Sequence, residues 1–231
     1  MKRWLFAPLL FLATLATAAG TAGPGTQVVK QANEKISSLL KQKADCGSQQ
    51  EKDLAAKVTT SVRDLLDIDD LGKEAMVDQW SKLTAAQRQE FQATLRSLIE
   101  DNYVRGLRTN LQYTVDYTGE SNDANGNLVV TTQVNTQRHN RPYKIEVDYV
   151  LKKDGDKWKA WDVKTDGVGL VDNYHTQFNK IIGSSGFSGL IEKMKKKQSE
   201  EGAGGCGGGS GSGSGSGSAA GSAGSAGSAS K

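Results

Sequence analysis

"YKIEVDYVLKKDGDKWKAWDVKT", residues 143–165, decides the fold class. Tyr143, Ile145, Val147, Tyr149 and Leu151 alternate with Lys144, Glu146, Asp148 and Lys152. Side chains two apart share one face of a strand, so this segment is a strand with one apolar side and one polar side. Asp154-Gly155 then supplies a turn pair, and Trp158 to Lys164 returns as the antiparallel partner.

The same period extends upstream. Leu111, Tyr113, Val115 and Tyr117 alternate with Gln112, Thr114 and Asp116, and Leu128 to Val134 forms another strand. Asn125-Gly126 between them favours a tight turn with positive φ. Four strands thus form an antiparallel meander whose apolar face must be covered.

Helices flank the meander and supply that cover. Downstream, Asp166-Gly167 turns the chain, and Val171, Tyr174, Phe178, Ile181 and Ile182 fall on one helical face. Gly183-Ser184-Ser185-Gly186 is expected to end that helix, with a last short one from Phe187 to Lys197. Upstream, Val29, Ala32, Ile36, Leu39 and Leu40 share a helical face. So do Leu54, Val58, Val62, Leu65 and Leu66, and a short helix carries Ala75, Met76 and Trp80. Thr84 followed by Gln87 is a capping-box signal. It opens a long amphipathic helix with Phe91, Leu95, Leu98, Ile99, Tyr103 and Leu107 inward. Segregated helices and strands give an α+β class: helices packed on one curved antiparallel sheet of about four or five strands.

The chain ends are of other kinds. Lys2-Arg3, an apolar run from Trp4 to Leu15 and the small residues Ala16-Thr17-Ala18 form the three-part pattern of a secretory signal peptide, assigned to residues 1–22. Cleavage after Ala18, Ala19 or Ala22 fits; an uncleaved anchor is the alternative, but the run is short of the ~20 apolar residues of a span. Residues 202–231 are almost entirely Gly, Ser and Ala and read as a flexible tail. The folded domain is therefore 23–201, large enough to bury a core. Lys2, Arg3 and Lys231 lie outside it, which leaves 26 basic against 26 acidic residues and removes the whole-chain excess of +3. Such a balance gives no electrostatic footprint for nucleic acid. Lys193, Lys195, Lys196 and Lys197 form a local basic cluster, read as a solvated helix end or a docking point for an acidic surface. Cys46 and Cys206 pair after export, or stay unrelated, or Cys206 couples to another chain.

Catalytic chemistry is hard to find. His139 and His175 stand apart without metal-type neighbours and read as surface or capping residues. "GSSGFSGL" (183–190) lacks the spacing of a nucleophile elbow, and "DGVGL" (166–170) lacks the lysine of a phosphate loop. Asp116, Asp148 and Asp162 are the nearest candidates for an acid or base, with Asp116 and Asp148 directed outward by the strand pattern. The aromatic strand face is the more informative feature. Tyrosine combines an apolar body with a hydroxyl that needs a partner or water, which suits a partly wet cavity wall. A closed core gives the same period.

Residues 161–194 resemble the end of the MlaC family, also called the toluene-tolerance auxiliary family. That pattern is a strand ending Tyr-Asp-Val, then Gly-Val-Ser-Leu, Asn-Tyr-Arg-x-x-Phe, and a Gly before Leu-Ile. Here the positions read Trp161-Asp162-Val163, Gly167-Val168-Gly169-Leu170, Asn173-Tyr174-His175 with Phe178, and Gly189-Leu190-Ile191. "WSKLTAAQRQEFQATLRSLIEDNYVRGL" (80–107) is similar to the family's Trp-x-x-Leu, Gln-Arg, Phe and Tyr helix. The resemblance spans most of Gln27 to Lys197. Gly169 and His175 depart from it, standing where the family carries Ser and Arg.

The resemblance implies a monomeric soluble periplasmic carrier without catalytic residues or cofactor, with phospholipid as cargo and an MlaC-like cavity, NTF2-like in shape. Its partners would be an outer-membrane lipoprotein complex and an inner-membrane ABC transporter complex containing an MCE-domain protein. A chaperone or adaptor for apolar segments of exported proteins is the second reading, and a small-molecule enzyme the third. Each buried methylene is worth about 0.8 kcal/mol, so two acyl chains with roughly 30 methylenes carry on the order of 25 kcal/mol. A carrier must enclose the tails and can leave the headgroup in water. The expected wall comes from Leu111, Tyr113, Val115 and Tyr117 of the first strand and Tyr143, Ile145, Val147 and Tyr149 of the third. Val163, Val168, Tyr174 and Phe178 complete it.

Overall fold

The computed structural model describes residues 22–105, 112–138 and 141–202. The signal-peptide pattern, Leu107, Leu111, His139, Cys206 and nearly all of the tail lie outside those residues. Five helices come first: α1 (Pro24–Leu40), α2 (Gln49–Leu65), α3 (Ile68–Ala75), α4 (Val77–Trp80) and α5 (Ala85–Arg105). Five strands follow: β1 (Thr114–Asn122), β2 (Leu128–Arg138), β3 (Arg141–Asp154), β4 (Lys157–Thr165) and β5 (Val168–Gly169). Helix α6 (Leu170–Gly202) closes the described chain. The sheet runs β1-β2-β3-β4-β5 with every neighbour antiparallel, the expected α+β meander.

Local chemistry explains most element ends. Thr84 and Gln87 form the reciprocal capping box: the Thr84 N–H donates to Gln87 Oε1 at 2.9 Å, and the Gln87 N–H to Thr84 Oγ1 at 3.2 Å. Ser48 and Asp67 cap α2 and α3 by accepting from the N–H groups of Glu51 and Asp70. Asp166 (φ 48) and Gly167 (φ 80) both adopt positive φ, turning β4 into the two-residue β5.

The β1–β2 connection turns at Asn125-Gly126 as expected: Gly126 has positive φ, and its N–H donates to the Asp123 carbonyl at 3.0 Å. Asn122 pairs with Leu128, and the Asp123 carboxylate organises the loop between them, accepting from the N–H groups of Asn125 (2.9 Å) and Asn127 (2.8 Å). One sequence expectation needs correction, at Gly183-Ser184-Ser185-Gly186. The chain stays helical through Gly183 and bends only at Gly186, whose φ of 69° and ψ of −178° few other residues adopt. Ser184 stays in the helix by donating to the Ile181 carbonyl at 3.1 Å.

One core joins helices and sheet. Val29, Val58, Val62, Leu71, Phe91, Leu95, Val130, Val147, Leu151 and Leu190 are completely or almost completely buried. Phe91 is its aromatic centre, edge-on to Phe178 at 5.4 Å and to Trp80 at 6.4 Å, while Tyr174 stacks on Phe178 at 5.1 Å. Arg63 of α2 grips Glu100 of α5 with two bonds of 2.5 and 2.9 Å. Lys195 pairs with Glu90 and Lys196 with Glu200, so two members of the basic cluster bind acidic groups of this chain. Among the described residues no cysteine is free.

Helix α1 is held from the sheet. Its N-cap, Gly23, has no side chain to accept from the first-turn N–H groups, and Glu120 of β1 takes that role. The carboxylate accepts from the Thr26 N–H at 2.7 Å and the Thr26 hydroxyl at 2.6 Å. A Cβ at Gly23 would lie 2.2 Å from Glu120 Oε1, so glycine leaves the space that this carboxylate fills. Negative charge at a helix N-terminus is also favourable. Replacing Glu120 by Ala is expected to cost about 1–2 kcal/mol, read as a lower urea midpoint at constant slope.

Candidate functional site

The cavity follows from the sheet's edge. Inward residues of β2 and β3 are buried: Val130, Thr132, Val134, Val147 and Tyr149. Their neighbours on β1, Val115 and Tyr117, are only half-buried, because β1 is an edge strand, with α1 leaning over it. The space between them is a cavity of about 590 Å³, within the usual range for small-molecule sites. Tyr113, Val115 and Tyr117 form its sheet wall. Lys30, Asn33, Glu34, Ser37 and Ser38 of α1, with Lys41 just past its end, form the other. Lys30, Glu34, Ser38 and Lys41 are exposed at its rim.

Inside, Asn33 bridges two tyrosines. Its Nδ2 lies 3.4 Å from the Tyr117 hydroxyl and 3.3 Å from that of Tyr149, which also approaches Asn33 Oδ1 at 3.3 Å. Tyr103 of α5 joins the cluster beside Tyr113 and Tyr149. Burial pushes the Tyr103 hydroxyl up to about 12, with the neighbouring Tyr113 adding to the shift. Burial likewise raises Tyr149 and, less far, Tyr117. These phenols remain protonated and neutral at physiological pH.

The twelve expected wall residues divide into distinct groups. Tyr113, Val115 and Tyr117 line this cavity. Tyr149 reaches its tyrosine–asparagine cluster through its hydroxyl. Ile145, Val147, Val163, Tyr174 and Phe178 are buried in the common core. Tyr143 is exposed, as is Val168 at 62% on β5. Leu111 lies outside the described residues. Asn33, Tyr103 and the polar side of α1 were absent from the expected set. A sequence signal existed for Asn33: it stands four residues after Val29 and three before Ile36, a polar member of an apolar helical stripe.

The β4–β5–α6 junction carries the two family departures. Asp162 is buried, and its carboxylate accepts from the N–H groups of Val163 at 2.9 Å and Val171 at 3.0 Å, holding the start of α6. A Cβ at Gly169 would sit 2.8 Å from Asp162 Oδ2, so glycine here gives the carboxylate room. His175 Nε2 lies 2.8 Å from Asp78 Oδ2, and Asn179 donates to the same oxygen at 2.9 Å, tying α4 to α6. The His175 contact, with that of Asn179, holds Asp78 below the usual carboxylate range. Burial, partly opposed by the backbone bonds of Val171 and Val163, raises Asp162 above its ordinary value. An acid with a raised folded pKa stabilises the native state most below its unfolded value, about pH 4. That contribution is lost as pH rises through the folded value. The stability of the wild type relative to Asp162→Asn is therefore expected to fall from acidic to neutral pH, read from urea titrations at several pH values.

Asp116 is exposed and bound to Asn135 at 2.8 Å. Among the described residues no group of three or more His, Cys, Asp or Glu is placed to hold a metal, and no helix is long and apolar enough to cross a membrane.

The cavity's setting, an edge strand under the first helix of an α+β meander, can be compared with known proteins. The MlaC protein family model matches residues 30–196. The chain belongs to the MlaC family. A relative from Haemophilus influenzae, named intermembrane phospholipid transport system binding protein MlaC, is 23% identical over 206 residues, covering 87% of this chain and 95% of that protein. A solved structure from Ralstonia solanacearum, described as a phospholipid-binding protein in complex with a phospholipid, matches with a TM-score of 0.63. It is 22% identical and covers 78% of this chain and 99% of its own. The MlaC arrangement of helices on an open antiparallel sheet is thus shared.

Proposed function

We propose that this chain is a soluble periplasmic phospholipid carrier that keeps acyl chains in the space between α1 and β1. The observation that carries this is the change of character across one cavity of about 590 Å³, from the aromatic and apolar wall of Tyr113, Val115 and Tyr117 to the exposed rim of Lys30, Glu34, Ser38 and Lys41. Such an order matches an amphiphile. Tails gain about 0.8 kcal/mol for each methylene removed from water, and a charged headgroup left at the rim avoids desolvation.

Membership of the MlaC family supports the reading, as do the transport name of the Haemophilus relative and the phospholipid in the Ralstonia structure. On this reading the carrier takes lipid between an outer-membrane lipoprotein complex and an inner-membrane complex of ABC transporter and MCE-domain protein. It works as a monomer and needs no catalytic group. Direction comes from differential affinity at the two partners, because a binding protein alone cannot bias transport.

Solvent extraction of gently purified protein tests the proposal. About one phospholipid per chain is the expected yield for a carrier of this class. A lipid-free extract, or retained peptide in place of lipid, overturns it.

A further inference from the structure

Asn33, Tyr103, Tyr113, Tyr117 and Tyr149 bring two amide protons and four phenolic protons to one region. The Tyr149 hydroxyl donates to Asn33 Oδ1 at 3.3 Å. The Tyr117 hydroxyl accepts from Asn33, and among the described residues nothing accepts its own proton. The Tyr103 and Tyr113 rings pack against the core beside them. The three bonds that exist are 3.3–3.4 Å long, beyond the usual 2.7–3.0 Å for such pairs. Donors so weakly satisfied, facing a cavity, are arranged for an acceptor that comes from elsewhere.

Two properties of that acceptor follow. A neutral acceptor suits it, because this inner part of the site offers phenols and an amide, which satisfy a neutral oxygen without a counter-charge. The rim lysines are exposed, and Lys30 is already near Glu34 at 4.0 Å. It must also sit between a charged end and a hydrocarbon end, as the cluster sits inward of the rim and beside Val115. An ester carbonyl joining an acyl chain to glycerol meets both conditions.

We propose that Asn33 and its tyrosines recognise the acyl-ester carbonyls of the bound lipid, so that the site distinguishes ester-linked from ether-linked chains. This rests on the lipid-carrier reading and adds a selectivity to it. Burial raises the Tyr103 and Tyr149 hydroxyls and keeps them protonated, so the preference holds across neutral and mildly alkaline pH. It is set by α1, β1, β3 and α5 together, and a shift of α1 would weaken it.

The test compares diacyl phosphatidylglycerol with its dialkyl ether analogue of equal chain length, both offered to the full chain in vesicles. Lipid retained after re-isolation is counted by mass spectrometry. The wild type is expected to prefer the ester by about tenfold, the effect of one or two neutral hydrogen bonds. Asn33→Leu and Tyr117→Phe are expected to reduce ester retention toward the ether level. Equal retention of both lipids by the wild type overturns the inference and leaves the carrier reading standing. A preference that survives in both variants also overturns it. Retention of neither lipid overturns the carrier reading itself. The wild-type comparison needs no variant, so misfolding of a mutant does not blunt it.

Discussion

Val115→Trp is expected to lower the lipid recovered with the protein at least tenfold while the fold persists. Val115 lies on the edge strand and points into the cavity, half-buried. An indole there occupies the space between β1 and α1 that hydrocarbon would take. Each methylene excluded removes about 0.8 kcal/mol of burial, so loss of only two or three accounts for a tenfold effect. Strand β1 itself should tolerate the change. Aromatic residues suit pleated, half-buried strands, and β1 pairs with β2 through the backbone whatever its side chains. Native mass spectrometry, with circular dichroism as the fold control, reads both outcomes. Undiminished lipid in a folded variant would place the cargo elsewhere.

Phe91→Ala is expected to have the opposite profile, with stability as its main casualty. The ring is completely buried and touches three elements: Trp80 of α4, Phe178 of α6 and the space beside Gly72 of α3. Gly72 brings α3 close to α5; a Cβ there would meet Leu95 Cδ2 at 2.8 Å and Phe91 Cε1 at 3.3 Å. Removing the ring leaves a void that these helices cannot close without losing other contacts. A loss of about 3–5 kcal/mol follows, a large fraction of the 5–15 kcal/mol that typically holds a domain. It is read from the urea midpoint with the slope unchanged.

These two residues show why the site was harder to read than the fold. Strand period, the Thr84–Gln87 cap and the Asp166-Gly167 turn are local, so the residues that encode them are neighbours in sequence. The capping box and four of the five strands could be named from them. Core and cavity, by contrast, use the same strand face. Val115 and Val147 obey one alternation; one lines the cavity and the other is fully buried. What separates them is the position of β1 at the edge and of β3 inside the sheet, which depends on strand order. Tyr174 and Phe178 joined the expected wall for the same reason, as aromatic residues on an inward helical face. They stack on each other and against Phe91 instead.

Asn33 and Tyr103 illustrate the complementary loss. They lie 70 residues apart, on α1 and α5. Only tertiary packing brings both to the tyrosines of β1 and β3. Asn33 left a trace, a polar side chain inside an apolar stripe. Tyr103 left none, since an aromatic residue in the stripe of α5 reads as ordinary core. The Gly183–Gly186 segment was misplaced for a different reason. Composition marks the turn-prone residues, but one glycine at φ 69° is enough to bend the helix, and the serines before it stay helical.

The central claim is that hydrocarbon lies between α1 and the edge strand. A phospholipid carrying a photoreactive group midway along one acyl chain tests this directly, loaded into the full chain, irradiated and mapped by peptide mass spectrometry. The account predicts adducts on the peptides holding Asn33 and Ser37 and on those holding Tyr113, Val115 and Tyr117. Adducts confined to the β5–α6 junction around Val168, or scattered over the exposed surface with none on α1 or β1, would contradict it.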